Sequence, residues 1–186
     1  NVLIEMTDKY KYLGVIFTST GNLTYASEEL TLKARKASFK LNSILRNTSI
    51  TLPTNILLKL FDSLLRPILC YGSEVWINDF KYDLNNYDSW DKLPFEKIHH
   101  FFIKQVLGVN KQASNLACRS ELNRKPLLLF ILKTYIKYYE RLSTLDDDRI
   151  LKKAFITEQN LLLSNKTHSW LNTFEKLKEF GNNLNI

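Results

Sequence analysis

Turn-forming residues are scarce in this chain. Five Gly and four Pro among 186 residues are too few for the frequent tight turns of a sandwich or barrel, so a mainly helical fold is expected. Cysteine is almost absent: Cys70 and Cys118 lie far apart, no Cys-x-x-Cys pair occurs, and no His stands at zinc-ligand spacing. That removes a disulfide scaffold and a zinc finger. Cys70, inside an apolar run, is read as a buried thiol. No run reaches the roughly 18 apolar residues of a membrane span, so no membrane partner is expected, and the N-terminus carries no signal-peptide pattern.

What is present suits a globular chain of one or two small domains. At 45% hydrophobic and 12% aromatic residues the sequence can bury a sizeable core. Its formal net charge is +7, with a pI near 9.3. Such a surface releases counterions from a phosphate backbone and suits nucleic acid or another anionic surface, although many soluble basic proteins bind nothing acidic.

Residues 2–6 and 10–17 read as two short strands joined by Thr7, Asp8 and Lys9, a loop of hairpin length. Gly14 interrupts the second strand and marks either a bulge or a close backbone approach. Tyr10 and Tyr12 share one face, as core anchors or as a stacking surface. A helix follows over residues 23–46, with Leu23, Leu30, Ala34, Ala37, Leu41, Ile44 and Leu45 at three- and four-residue spacing as its core stripe. Lys33, Lys36 and Lys40 form a row beside that stripe, and Arg35 lies further round with Leu32 and Phe39. No acid interrupts positions 33–46. A helix that needs only solubility is better served by mixed signs.

Pro53 opens a second helix with Ile56, Leu57, Leu60, Phe61, Leu64, Leu65 and Ile68 inward, and Pro67 is expected to kink or break it. Residues 68–76 are apolar enough to be buried, so Glu74 among them needs a partner. Residues 78–92, rich in Asn and Asp, read as a surface loop or disordered insert. A third helix runs over residues 95–107 with Ile98, Phe101, Phe102 and Val106 inward and Gly108 as its stop. The adjacent His99 and His100 point about a quarter-turn apart, which suits packing or the surface better than a shared metal.

Ser114 or Asn115 caps a short helix, and residues 123–126 break the chain before a helix over 126–142. That helix buries Leu128, Leu132, Tyr135, Ile136, Tyr139 and Leu142 and shows a second basic stripe of Lys133, Lys137 and Arg141. Asp146, Asp147 and Asp148 stand where acids complement the dipole at the start of a helix running to about Leu163. A last helix over 167–180 places Trp170, Leu171, Phe174 and Leu177 on its apolar side, with Gly181 as stop.

Four stretches in serial order carry a family likeness: YKYLGVIF (10–17), PTNILLKLFDSLLRPILCYGSEVW (53–76), EKIHHFFIKQVLGV (96–109) and ASNLACRSELNRKPL (113–127). Together they resemble the region after the catalytic centre of LINE-type, jockey-like non-LTR retrotransposon reverse transcriptases. The resemblance covers about residues 10–142. It departs from the family pattern at Ile77 and Asn123, where the family often has Gly. It implies a mainly α fold: a helical bundle with a small N-terminal β-hairpin. Residues 1–19 would be the end of the palm with its primer grip, 20–110 a thumb-like bundle with loop 78–92, and 111–186 a C-terminal helical linker.

The implied function is template-primer binding by the thumb of an RNA-directed DNA polymerase. Tyr12, Leu13, Gly14, Lys33, Arg35, Lys36 and Lys40 would contact the RNA/DNA template-primer duplex. The upstream palm and fingers of the same polyprotein would be partners, in a nuclear or cytoplasmic ribonucleoprotein. Polymerase chemistry needs clustered carboxylates around divalent ions. No aromatic-x-Asp-Asp motif precedes Tyr10, and the only Met is residue 6. The chain therefore reads as an excerpt or degenerate remnant, with no catalytic or metal residue and no cofactor of its own. Mg²⁺ is expected in the missing palm. The alternative is a helical protein-interaction module or a non-functional retroelement remnant.

Overall fold

The structure is a computed structural model that describes residues 7–47, 52–164 and 170–183. It is mainly helical, with one two-stranded antiparallel hairpin at the N-terminal end. Strands β1 (Lys9–Tyr12) and β2 (Val15–Thr18) pair Lys9 with Thr18, Tyr10 with Phe17 and Tyr12 with Val15. Residues 10–17, expected as one strand, are thus a hairpin folded back on itself, and the expected strand 2–6 lies outside the described residues. Gly14 is no bulge. It shares a two-residue turn with Leu13, with φ of +46° at Leu13 and +87° at Gly14, and left-handed φ at both central positions is the geometry whose twist matches a hairpin.

Helix α1 (Thr24–Asn47) buries Ala26, Leu30 and Ala34 along with Ser27 and Ser38. Ile44, expected inside, is exposed. The next helix does not break at Pro67. It begins as α2 (Thr54–Leu60), widens into a π-helical stretch over Phe61–Leu65, and continues as α3 (Arg66–Leu69). A proline ring crowds the carbonyl four residues back, here that of Ser63, and the wider turn relieves that crowding without ending the helix. Ile56 and Leu64, expected inside, are exposed, whereas Phe61, Leu65 and Leu69 are fully buried.

After α3 the chain turns sharply at Tyr71 and Gly72, then forms α4 (Ser73–Trp76) and a 3-10 turn (Ile77–Asp79). Gly72 has φ of +62°, and a Cβ there would lie 3.3 Å from the Val15 side chain, so a larger residue would be strained in its backbone and would have to displace Val15. Residues 78–92 are not a loose insert. Asn86 caps the short helix α5 (Tyr87–Asp91) by accepting the Asp88 N–H, and Trp90 is buried with its indole N–H donating to the Asp83 carbonyl at 2.6 Å. The Asn and Asp side chains that suggested disorder make local caps and turns there.

Helix α6 (Pro94–Leu107) ends at Gly108 as expected, in the left-handed conformation. It buries Phe95, Ile98, Phe102 and Ile103 together with Glu96, His99 and His100, while Phe101 remains exposed. Ser114 caps α7 (Asn115–Glu121), and Asn123 takes a left-handed φ of +48° before α8 (Leu127–Ser143). Asn tolerates that conformation better than most residues. The acids 146–148 precede α9 (Ile150–Leu163) and miss its first turn, so they do not cap it. Gly181 does not stop α10 (Asn172–Asn183). One core runs from Ala26 to Tyr135 and takes in Trp170, Phe174 and Leu177, joining the bundle to the helices after residue 110. Among the described residues no helix is long and apolar enough to cross a membrane.

Candidate nucleic-acid interface

The turn of the hairpin stands out into solvent, with the Leu13 residue 73% exposed. It is held from below. The Tyr71 hydroxyl donates to the Leu13 carbonyl at 2.8 Å, and a Cβ on Gly14 would lie 3.3 Å from the Tyr71 ring. By strand register Tyr10, Tyr12, Val15 and Phe17 share one face and Lys9 and Lys11 the other. Tyr10 and Tyr12 are exposed, so they are not core anchors. Tyr12, Leu13, Phe17, Tyr71 and Glu74 edge an open cleft of about 260 Å³. The Glu74 carboxylate has no ion-pair or hydrogen-bond partner among the described residues, contrary to expectation, because it is only partly buried and reaches water.

The lysine face of the hairpin is stitched to α1. Lys9 Nζ lies 4.1 Å from the centre of the Tyr25 ring. Lys11 Nζ is 3.0 Å and Lys33 Nζ 2.9 Å from Glu29 Oε1. Hydrogen bonds from Lys33 and Lys11 hold the Glu29 carboxyl below its ordinary range, and the bond to Glu29 raises the Lys11 ammonium. Lys33 is therefore shared with an acid one turn away, an i, i+4 pair readable in the sequence. Lys36 and Lys40 are exposed, and neither has an acid within ion-pair distance among the described residues. Arg35 departs from this row: its guanidinium lies 5.7 Å from the Phe39 ring, on the flank facing α6. The seven expected contact residues thus form a hairpin tip, a lysine row tied to it through Glu29, and Arg35 on a different flank.

Tyr71, Glu29 and Lys11 complete this arrangement, although pattern reading of the chain had assigned them no site role. The second basic stripe, Lys133, Lys137 and Arg141 on α8, is exposed. It borders an apolar groove between α8 and α10.

The buried polar groups form structural pins. Glu96 Oε1 accepts the Leu128 N–H at 2.8 Å, capping the start of α8, and its other oxygen lies 3.4 Å from His99 Nδ1. His99 stacks on Phe61 with centroids 5.0 Å apart. Arg119 bridges Asp91 at 2.7 Å and His100 Nε2 at 2.5 Å, which makes Nε2 an acceptor and the imidazole neutral. Burial lowers the His100 pKa to about 4, against the pull of Asp91 and Glu96. Burial raises the Asp91 carboxyl, but the hydrogen bonds from Asn115 and Arg119 outweigh it and hold the group below its usual range. These groups tie α5, α6, α7 and α8 together. Among the described residues no group of three or more His, Cys, Asp or Glu stands where it could hold a metal ion.

No protein-family model, curated protein or solved structure matches the chain.

Proposed function

We propose that this chain is the template-primer-binding thumb segment of a LINE-type RNA-directed DNA polymerase, with the Tyr12-Leu13-Gly14 turn as its primer grip. The observation that carries the reading is the solvent-facing turn tied at its base to Tyr71, beside a lysine row that leaves Lys36 and Lys40 unneutralised. A turn held from below by Tyr71 presents its tip, with Leu13, to a sugar-phosphate backbone as a fixed edge, and cations in a row along a helix suit the phosphates of a duplex. The chemistry itself would come from Mg²⁺ held by carboxylates of an upstream palm; no residue of this chain is given a catalytic role. Its setting would be a nuclear or cytoplasmic ribonucleoprotein, with that palm and fingers as partners.

A photoreactive residue at Leu13 tests the placement directly. On a hybrid duplex with a recessed primer end, crosslinks should fall on the primer strand near its 3′ end. Duplex binding that depends on Lys36 and Lys40 but gives no such crosslink removes the turn from the interface. No binding to any duplex leaves the helical interaction module or remnant as the better reading.

A further inference from the structure

The flank of α1 away from the hairpin carries a second arrangement. Phe39 on α1 and Phe101 on α6 meet edge to face with centroids 5.9 Å apart, and both remain open to solvent at 50% and 38% exposure. One turn further, the Asn42 side-chain amide donates to Gln105 Oε1 at 2.9 Å. Contact positions advance together along both helices, so α1 and α6 run side by side in the same direction here, and the rungs lie about 5–6 Å apart. One turn back, the next rung is Arg35, whose guanidinium already lies over Phe39, and the exposed Lys97. The seam therefore presents a cation rung, an aromatic rung and an amide rung in order.

We infer that this α1–α6 seam binds a single-stranded stretch of nucleic acid, with phosphate at Arg35 and Lys97, a base stacked on Phe39 and Phe101, and a base edge at Asn42 and Gln105. The inference rests on the nucleic-acid reading above and gives the seam a substrate class distinct from the duplex. Charge complementarity selects the occupant: beyond Glu29 the sequence of α1 has no acid, and the one acid of α6, Glu96, is buried. Solvent-open rings select the single strand, because a duplex covers the base faces that would stack. The amide pair keeps Asn42 Oδ1 as an acceptor and Gln105 Nε2 as a donor for a base edge. The site is separable from the lysine row, since Lys36 and Lys40 lie about a quarter-turn round α1.

Fluorescence anisotropy with a labelled twelve-nucleotide single-stranded RNA, its abasic counterpart and a hybrid duplex tests this. Phe39→Leu and Phe101→Leu should each weaken single-strand binding roughly five- to 150-fold, the range of one lost base stack, and change duplex binding less than about twofold. Phe39→Trp should retain single-strand affinity. Equal affinity for the abasic strand, unchanged affinity of the Leu variants, or displacement by polyglutamate as effective as by RNA would overturn the seam. Should the Leu variants fail to fold, the surface changes Arg35→Gln and Lys97→Gln, with the abasic comparison, decide it.

The two readings fail separately. Duplex binding that depends on Lys36 and Lys40, with single-strand binding indifferent to the phenylalanines, removes the seam alone. Phenylalanine-dependent single-strand binding with no duplex binding removes the thumb reading and keeps the seam. Binding of no oligonucleotide removes both.

Discussion

Replacing Lys36 and Lys40 together by Gln separates phosphate contact from mere positive charge. Each lysine that neutralises a phosphate contributes about 0.9 to the slope of log affinity against log salt on a B-form duplex. Lys33 shares Glu29 with Lys11, so its own replacement should change the slope by less than half a unit. The double variant should lose about 1.8 units. If counterion release is all that the two lysines supply, the same arithmetic gives a roughly thirtyfold weaker affinity at 0.15 M salt and convergence with the unaltered chain near 1 M. The assay is duplex binding followed by anisotropy at five or six salt concentrations, with circular dichroism to show the fold unchanged. Lys133→Gln with Lys137→Gln on α8 removes the same charge elsewhere. Parallel salt lines for the α1 variant, or an equal loss in the α8 variant, would refute a specific phosphate contact on α1.

Acid should loosen the pins around α6. The folded His100 pKa of about 4 lies below its ordinary value of 6.5, so its contribution to stability is complete above pH 6.5 and lost as pH falls towards 4. The linkage relation gives a loss on the order of 1 kcal/mol at pH 5.5 that roughly doubles by pH 4.5. Urea unfolding of His100→Gln, which keeps an acceptor for Arg119, should show a correspondingly flatter pH profile; identical profiles would count against a neutral His100. Leu13→Asn should stabilise the chain by several tenths to about 1 kcal/mol in thermal unfolding, since Asn-Gly suits a turn with left-handed φ at both positions and Leu13 gives up little burial. Gly14→Val should destabilise the hairpin by about 1–2 kcal/mol, through its φ of +87° and the contact of 3.3 Å with Tyr71, seen as faster amide exchange in β1 and β2.

Much of the fold was legible in local pattern. The 3.6-residue periods of α1, α6 and α8, the Ser114 cap and the Gly108 stop depend on neighbours within a turn or two, and the structure has these helices where the pattern puts them, with Ile44 and Phe101 turned outward. Patterns read less well where local cues had two meanings. The Leu13-Gly14 step looked like an interrupted strand because Leu disfavours positive φ. Pro67 was expected to kink or break its helix, and the break does not occur because widening into a π-turn, which leaves no mark in hydrophobic spacing, absorbs the proline. Residues 78–92 looked like a surface loop or disordered insert because polar caps and a buried Trp90 share one stretch of sequence.

By itself the sequence determined the helical class, the positive balance and the rows of cations, since each follows from residue type and period. The tertiary structure decided which cations are free. Glu29 reaches Lys11 across eighteen positions, so the acid that pairs with Lys33 also holds the hairpin, and α6 brings Phe101 beside Phe39 on the flank where Arg35 lies. It also decided that Tyr71, fifty-eight positions away, holds the Leu13 carbonyl. Residue pattern sets which face a side chain takes on its own helix or strand; which other face it meets depends on how the elements pack around a shared core.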